Sequence, residues 1–438
     1  MSDLATLLRQ ASLESGAIQP GDDDDHSFVG AEEITIVTDE TSTELEEAVA
    51  DTAEEVAKLE NSNAAAEKVA EAADSLESKL IQLRAMADNG QPLDHSAMRW
   101  YIQGLAESFE ARELPVELVK VEIEALQYSF ESAEVEDYTT EAEEKTGNIL
   151  QRLWKVLVAA LQAAKTSIAQ FFGSIGRSSN AISVGGKQLQ RIGASLKGEA
   201  KKDKIKATGY GRLTSNGSVN PSEAITRASA ALDGDISNHM LEPFKKALTP
   251  IVAVLKAGGT TDDIKDGEWA GKFAAMGLRS NVVSLYGGVK AELKVDGEKV
   301  SFSVSKPEAG PAEVAPMSPA EIAALGGKLV TLARVINLAK AKADKFIDGA
   351  ETVLSAATKS AGKDKEEGAK DRKAGVGKAV TTAARLIKSG QVVIPTYVNY
   401  LSQLGKDAYN FGKASAGAYG TKVAATADEG AKGAEEGK

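Results

Sequence analysis

The spacing of apolar residues predicts amphipathic helices over much of the chain. Between residues 42 and 88 these positions recur at steps of three and four, as on one face of a helix. The first run is Leu45, Val49, Thr52, Val56 and Leu59, and a second continues from Ala66 to Ala87. Because many seam positions are Ala, the pattern predicts a thin coiled-coil-like seam through which 42–88 could self-associate.

Similar spacing predicts further helices along the chain. They cover about 95–132 with an interruption at Pro115, the amphipathic stripe 150–175, and 318 to about 360. The last of these has its apolar seam at Leu325, Leu329, Leu332, Ile336, Ala339, Ala343 and Phe346. More helices, interrupted by Pro395, follow to about residue 420.

Two helix starts are marked by capping residues. Asn220-Pro221-Ser222-Glu223 and Ser318-Pro319-Ala320-Glu321 each place a cap residue, then Pro at the first helical position, then Glu at the third. This order satisfies the free N–H groups of a first helical turn. Helices are therefore expected to begin at Pro221 and Pro319.

One segment alternates in the manner of β-strands. Residues 289–295 and 299–304 alternate apolar with polar side chains, and Asp296-Gly297 between them suits a tight hairpin turn. Asn281–Tyr286 is a candidate third strand. The predicted fold class is mainly α, with extended, coiled-coil-like helices and one small β-hairpin element at about 281–305. Because 34 of the 40 Gly follow residue 150, loops are expected to break that part.

Five regions follow from these patterns and from composition. They are an acidic helical leader (1–134), an amphipathic helix with a basic Gly/Ser-rich segment (145–215), helices with the hairpin (220–310), a helical C-terminal region (318–420), and an Ala/Gly/Glu/Lys-rich tail expected to be disordered (421–438).

The charges of the two parts of the chain are opposite in sign. Residues 1–150 hold 36 Asp/Glu and 9 Lys/Arg, whereas residues 151–438 hold 28 Asp/Glu and 42 Lys/Arg. The net charges are −27 and +14, which the overall value of −13 conceals. A strongly basic region indicates a polyanionic partner. An acidic region in the same chain can compete with that partner for the basic surface.

Catalytic chemistry has little support in the sequence. Cys is absent, and the three His, at 26, 95 and 239, lie in separate segments without the paired spacing of a zinc site. A non-enzymatic protein without metal or cofactor is therefore predicted. The alternative is an enzyme whose site lies near the hairpin, at about 276–310.

The densest basic stretch is the candidate nucleic-acid surface. Lys and Arg neutralise phosphates without reading sequence, which gives non-specific DNA affinity. The candidate residues are Arg177, Lys187, Arg191, Lys197, Lys201, Lys202, Lys204, Lys206 and Arg212. Tyr210 could stack on a base. A solvated basic loop without a ligand is the alternative interpretation.

The layout of these features resembles a known class of viral protein. An acidic Ala/Glu-rich helical leader, from Glu44-Leu45-Glu46-Glu47 to Ser75-Leu76-Glu77, precedes the Trp/Phe helix from Leu150 to Phe172. A Lys/Ala-rich helical part with Tyr397-Val398-Asn399-Tyr400-Leu401 follows. Together they resemble internal head (prohead core) proteins of large tailed bacteriophages, the phiKZ-like jumbo phages included. The resemblance is one of layout over most of the chain and involves no signature motif.

The resemblance implies a virion protein of the capsid interior that is made in the host cytoplasm. Its expected partners are packaged DNA, bound non-specifically, capsid or core proteins, and a maturation protease. In such proteins the protease cuts after a Glu two residues beyond a small residue and removes the propeptide. The matching candidates are Glu14, Glu32, Glu77, Glu110, Glu131 and Glu134. Cutting after Glu134 would leave residues 135–438 with a net charge of +10.

A membrane-active, ejected or secreted helical protein is the alternative function. It would use the basic amphipathic stretch 150–175, in which Arg152, Lys155 and Lys165 lie off the apolar stripe. Such a helix can lie at a bilayer surface, but it can equally be a helix packed on a protein core. The prediction is that Trp154→Glu or Phe171→Glu abolishes any binding to lipid.

Overall fold

Long helices make up most of the structure. The computed structural model describes residues 41–61, 68, 72, 75, 168, 170–256, 268–297, 299–362 and 376–419. In this part 72% of the residues are helical, which confirms the mainly α fold class. The α-helices are α1 (41–61), α2 (170–195), α3 (Pro221–Ala231), α4 (Glu242–Lys256), α5 (Glu268–Ala275), α6 (Pro319–Gly362) and α7 (Val376–Gly417).

The predicted β element is a three-stranded antiparallel sheet. Strands β4 (Asn281–Ser284), β5 (Lys290–Asp296) and β6 (Lys299–Val304) are adjacent in that order, so the candidate third strand is confirmed. Two ladders of two-residue strands were not predicted. They pair β1 (Ile205–Lys206) with β7 (Glu313–Val314), and β2 (Thr214–Ser215) with β3 (Ser218–Val219).

Helices α6 and α7 form an antiparallel pair that runs along the structure. At about 1.5 Å per residue, the 44 residues of α6 span about 66 Å. Every residue of the seam predicted for 318–360 is buried, from Leu325 and Leu329 to Phe346. Opposite this seam, Gly390 lies against the ring of Phe346, and Gly405 lies against Leu332.

Helix α2 packs against both of these helices. It is antiparallel to α6, since Gly186 lies beside Gly326 and Gly193 lies beside Ala323 and Pro319. It is parallel to α7, since Gly185 contacts the ring of Tyr409, and the hydroxyls of Ser178 and Ser402 are 3.4 Å apart. Three helices therefore meet along one continuous apolar core.

Glycine is the point of contact in these crossings, whereas the expectation that Gly marks loops is confirmed at Gly198, Gly217, Gly277 and Gly297. A Cβ built on Gly326 would lie 2.4 Å from the carbonyl oxygen of Gly186, and one on Gly193 would lie 2.5 Å from the backbone nitrogen of Ala323. Such distances leave no room for a methyl group. Gly at these positions lets two helix backbones touch, as in close-packed small-residue helix pairs.

Both predicted helix starts are confirmed. The side chain of Asn220 accepts a hydrogen bond from the backbone N–H of Glu223 at 3.1 Å, before α3. At the start of α6, Ser318 Oγ accepts from the N–H of Glu321, and the Glu321 carboxylate accepts from the N–H of Ser318 at 2.7 Å. This reciprocal pair is a capping box.

Proline does not interrupt the last helix, contrary to the prediction for Pro395. Helix α7 continues through that residue from Val376 to Gly417. Pro in a helix interior removes one hydrogen bond and costs about 3 kcal/mol. On either side of Pro395, Val393, Ile394 and Tyr397 are fully buried, so their packing outweighs that cost.

Two tight turns depend on residues with positive φ. In the main hairpin Gly297 has φ 60°, whereas Asp296 is already paired with Lys299, so the turn begins one residue later than predicted. Asn216 and Gly217, with φ 50° and 76°, connect β2 to β3. Asn-Gly is a strong hairpin signal that the sequence analysis overlooked because the flanking strands are only two residues long.

A π-helical stretch, Leu232–Leu241, joins α3 to α4. Its wider turn coincides with side chains that donate to the carbonyl five residues earlier, Ser237 to Leu232 and Asn238 to Asp233. The neighbouring Ala228 carbonyl accepts from the buried Tyr397 hydroxyl at 2.9 Å. That hydrogen bond joins α3 to α7, and the π-helical stretch packs through its own buried Leu, Ile and Met side chains.

Several sequence predictions lie outside the described residues. These are all six cleavage candidates, the second seam run, the 95–132 helix, the stripe before Ile168, and the C-terminal tail.

The glycine contacts lead to a test on a single helix. Gly193→Ala should destabilise the protein by about 2 kcal/mol, because overpacking forces two backbones apart. Gly176→Ala is the matched control, since within the described part of the chain no atom from outside its own helical turn lies within 4 Å of a Cβ there. That change should be neutral or stabilise by about 0.5–1 kcal/mol, because Ala favours helix over Gly. Urea unfolding measures both, and equal effects would contradict the role assigned to Gly193.

Candidate nucleic-acid interface

The basic candidates form an exposed segment at one end of the helical bundle. After α2 ends at 195, the chain crosses this end before β1. We call residues 197–206 the lysine segment. Its exposed basic residues are Lys197, Lys201, Lys202, Lys204 and Lys206, accompanied by the exposed Glu199 and Asp203. Lys187 and Arg191, in the last turns of α2, are also exposed.

The ends of two helices explain why a basic segment is stable here. Helices α2 and α7 are parallel, so both present the partial negative charge of a C-terminus to this end. The backbone N–H groups of Lys201 and Lys202 donate to the Ala418 carbonyl, at 2.7 Å and 3.3 Å. Backbone contacts therefore fix the segment, and its ammonium groups remain available to an anion.

Two of the candidate cations have partners on the surface of the protein. Lys204 lies 3.9 Å from the carboxylate of Glu313, and both side chains are more than half exposed. Arg177 lies 3.0 Å from Asp51 of α1. Exposed ion pairs of this kind contribute at most about 1 kcal/mol, so a phosphate could displace either one.

Arg212 has a different role from the other candidates. Its guanidinium donates to Asp407 at 2.8 Å and also to the side-chain oxygen of Gln403, both on α7. The side chains of Arg212 and Asp407 are only 23% and 14% exposed. This pair anchors the 211–215 loop to the bundle, and we therefore leave Arg212 out of the interface.

The buried position of this pair affects its acid–base behaviour. Burial raises the pKa of the Asp407 carboxyl, although the adjacent Arg212 charge acts in the opposite direction. Removing the guanidinium would leave a poorly solvated carboxylate without a partner. That loss lowers folding stability more than replacing both residues of the pair by apolar ones would. Arg212 and Asp407 thus form a structural unit.

Tyr210, the candidate for stacking on a base, is partly buried and packs against the core. Its ring meets the ring of Phe411 edge to face, with centroids 5.3 Å apart. Burial raises the pKa of its hydroxyl. Part of this ring is therefore already used in packing against α7.

The acidic helix α1 is docked on the basic half. Thr41 accepts a hydrogen bond from Gln188 at 3.0 Å, and Asp51 pairs with Arg177. These contacts make α1 antiparallel to α2. Glu46 lies 3.6 Å from Lys406, which places α1 beside α7 as well.

Burial of its seam holds α1 in place. The seam residues Leu45, Val49, Thr52, Val56 and Leu59 are all buried, and the apolar ones join the same core cluster as α2 and α7. Each fully buried Val or Leu contributes about 1.5–3 kcal/mol, more than an exposed ion pair. Apolar packing therefore supplies the affinity, and the acid–base pairs contribute to register.

This packing limits the predicted self-association through 42–88. Between Leu45 and Leu59 the apolar face is already covered within the chain. A second copy could use that face only after α1 had left its place.

The described end of the amphipathic stretch is also interior. Ile168, Phe171, Phe172 and Ile175 are buried, so at this end the stripe faces protein. Among the described helices, one window, Pro319–Asp344 of α6, is long and apolar enough to cross a membrane, with a mean hydropathy of 1.5. Core helices of soluble proteins have this composition too, and 44% of that window is buried.

A groove lies beside the hairpin, where an enzyme site was the alternative. Its volume is about 480 Å³, and Ser389 on its wall donates to the Val300 carbonyl at 2.7 Å. No His lines it among the described residues. The only described His, His239, lies 3.3 Å from Asp235 on the π-helical stretch. A nucleophile paired with a His base is therefore not formed by the residues described around this groove.

No protein-family model, curated protein or solved structure matches the chain. No group of three or more metal-ligating residues occurs among the described residues.

The lysine segment predicts a salt-dependent affinity for DNA. Lys201→Gln with Lys202→Gln should weaken binding of duplex DNA and reduce the slope of log K against log salt by about 1 per lysine. Lys246→Gln with Lys290→Gln is the control, because both are exposed lysines on other elements. Fluorescence anisotropy over a salt series measures the slopes. The same loss in both variants would mean that net charge alone determines binding.

Proposed function

We propose that this chain is a structural, non-enzymatic internal head protein of a large tailed bacteriophage. It is made as a precursor whose acidic leader docks on the basic half, and a maturation protease later separates the two. The mature basic part then lies in the capsid interior in contact with packaged DNA. The observation that carries the proposal is the docking of acidic α1 on α2 and α7 of the basic half.

The docked helix α1 places negative charge next to basic residues of α2 and α7. Glu46 and Asp51 neutralise Lys406 and Arg177, and the other exposed carboxylates of α1 add negative potential. At 0.1 M salt this potential extends about 10 Å, so it reduces DNA attraction to nearby basic residues. A precursor with this arrangement engages DNA less strongly during assembly than its mature form.

Cleavage would remove the covalent tether that keeps the leader at its site. In the intact chain α1 is tethered to its site, which corresponds to an effective concentration in the millimolar range. A cut after Glu134 turns the docking into an ordinary bimolecular contact. The leader then dissociates whenever its free concentration is below the dissociation constant, and residues 135–438 carry a net charge of +10.

The N-terminus of the protein in its native particle tests the precursor mechanism. We expect intact mass and N-terminal sequencing to give a mature chain that begins at Val135, or after another of the candidate Glu residues. The chain in immature particles should begin at Met1 or Ser2. A full-length chain in mature, DNA-filled particles would contradict processing.

If α1 shields the basic half, the two α1 carboxylates that pair with other helices, Glu46 and Asp51, should weaken DNA binding. Glu46→Gln with Asp51→Asn should raise the DNA affinity of the full-length chain by about threefold at low salt, where charges are least screened. Glu44→Gln with Glu54→Gln removes the same charge from the same helix, and Glu54 pairs only with Lys58 of α1 among the described residues. The control should have the smaller effect. Unchanged affinity in both variants would contradict shielding.

A further inference from the structure

A second basic site lies away from the lysine segment, in the groove beside the hairpin. The groove runs between the edge strand β6 and α7, and its volume is about 480 Å³. The charged residues that line it are Lys294, Lys299, Lys388, Asp296 and Glu60. The space suits a small anion and is too small for a duplex.

The fold brings the three lysines together from separate elements. Lys294 on β5 is opposite Ser301 on β6, and Lys299 is opposite Asp296, so these four side chains share one face of the sheet. Lys388 comes from α7, where the neighbouring Ser389 hydroxyl donates to Val300. That hydrogen bond ties α7 to the edge of the sheet and fixes the width of the groove.

The character of the cations indicates the chemistry of the ligand. Lys is a compact point charge that binds phosphate well, whereas the planar carboxylate is matched best by the fork of Arg. The cations that line the groove are all Lys, and no Arg lines it among the described residues. Phosphate oxygens are therefore favoured over the side chains of an acidic peptide.

Glu60 connects the groove to the acidic helix. It lies in the last turn of α1. It therefore belongs to the acidic part of the sequence, whereas the groove lysines belong to the basic part. With Glu60 in place the lining carries three positive and two negative charges, and without it three and one. The presence of α1 thus lowers the attraction of the groove for anions.

We propose that this groove is a binding site for phosphate groups, either on a free polyphosphate or along a nucleic-acid strand, and that Glu60 of α1 attenuates it. This goes beyond the proposed function, because it places a defined anion site outside the lysine segment. It holds equally for a protein that never enters a capsid.

Tripolyphosphate binding to the full-length chain tests the site. Calorimetry at low salt should show saturable binding, and Lys294→Gln with Lys299→Gln should raise the dissociation constant about tenfold. Lys246→Gln with Lys290→Gln is the matched control, since Lys290 is on the same sheet outside the groove lining, and it should change the constant less than twofold. Glu60→Gln should tighten binding two- to threefold.

The outcomes separate the site from general electrostatics. Equal weakening in the two lysine pairs, or no saturable binding by the unaltered chain, would overturn the proposal. A parallel titration with a 12-nucleotide single strand identifies the source of the phosphate. If the groove variant loses binding of the strand and keeps binding of tripolyphosphate, the ligand is a nucleic-acid backbone. If it loses binding of tripolyphosphate and keeps binding of the strand, the ligand is a free phosphate compound. Failure of the capsid proposal would show instead in the N-terminus of the particle-derived chain.

Discussion

Direct contact between helix backbones at glycine is the constraint on which the rest of this structure depends. Where Gly186 meets Gly326 and Gly193 meets Ala323, α2 and α6 approach more closely than side chains would allow. Gly390, Gly405 and Gly412 of α7 instead make room for side chains of the neighbouring helices, those of Phe346, Ile182 and Leu189. A protein with few aromatics can therefore build a tight core, because helices that lie close together leave little space between them for large side chains to fill. Dispersion contacts between the closely packed atoms stabilise this arrangement.

The parallel arrangement of α2 and α7 follows from these contacts, and it determines where charge is tolerated. Both helices end at the same end of the bundle, and the Ala418 carbonyl accepts from Lys201 and Lys202 there. Lysines at this end oppose the helix dipoles, whereas acids would add to the negative potential. The acidic helix lies along the flank instead, where Arg177 and Lys406 provide partners. The distribution of charge on the surface is thus coupled to the direction of the helices beneath it.

Local patterns in the sequence predicted the elements well. The seams of α1 and α6, the two capped helix starts and the three-strand sheet all came from periodicity and capping residues, which depend on neighbours in the chain. What periodicity could not predict was contact between distant segments. Gly was read as a loop former because its contact with another helix is invisible in one helix alone. Pro395 was read as a break because the buried neighbours that compensate for it come from tertiary packing.

The same limit applies to the candidate site, and it shows which basic residues carry functional meaning. Arg212 and Lys202 look alike in the sequence, yet the first is held by Asp407 and the second faces solvent. A half-buried guanidinium with a carboxylate partner is retained for the fold, because losing either partner leaves an uncompensated charge. An exposed lysine fixed only through its backbone contributes little to folding, so its charge remains free to act on a ligand. On this criterion Lys201 and Lys202 of the lysine segment are functional candidates, and the groove lysines Lys294 and Lys299 join them as exposed charges. Glu46, Asp51 and Glu60 of α1 are the charges that oppose these lysines.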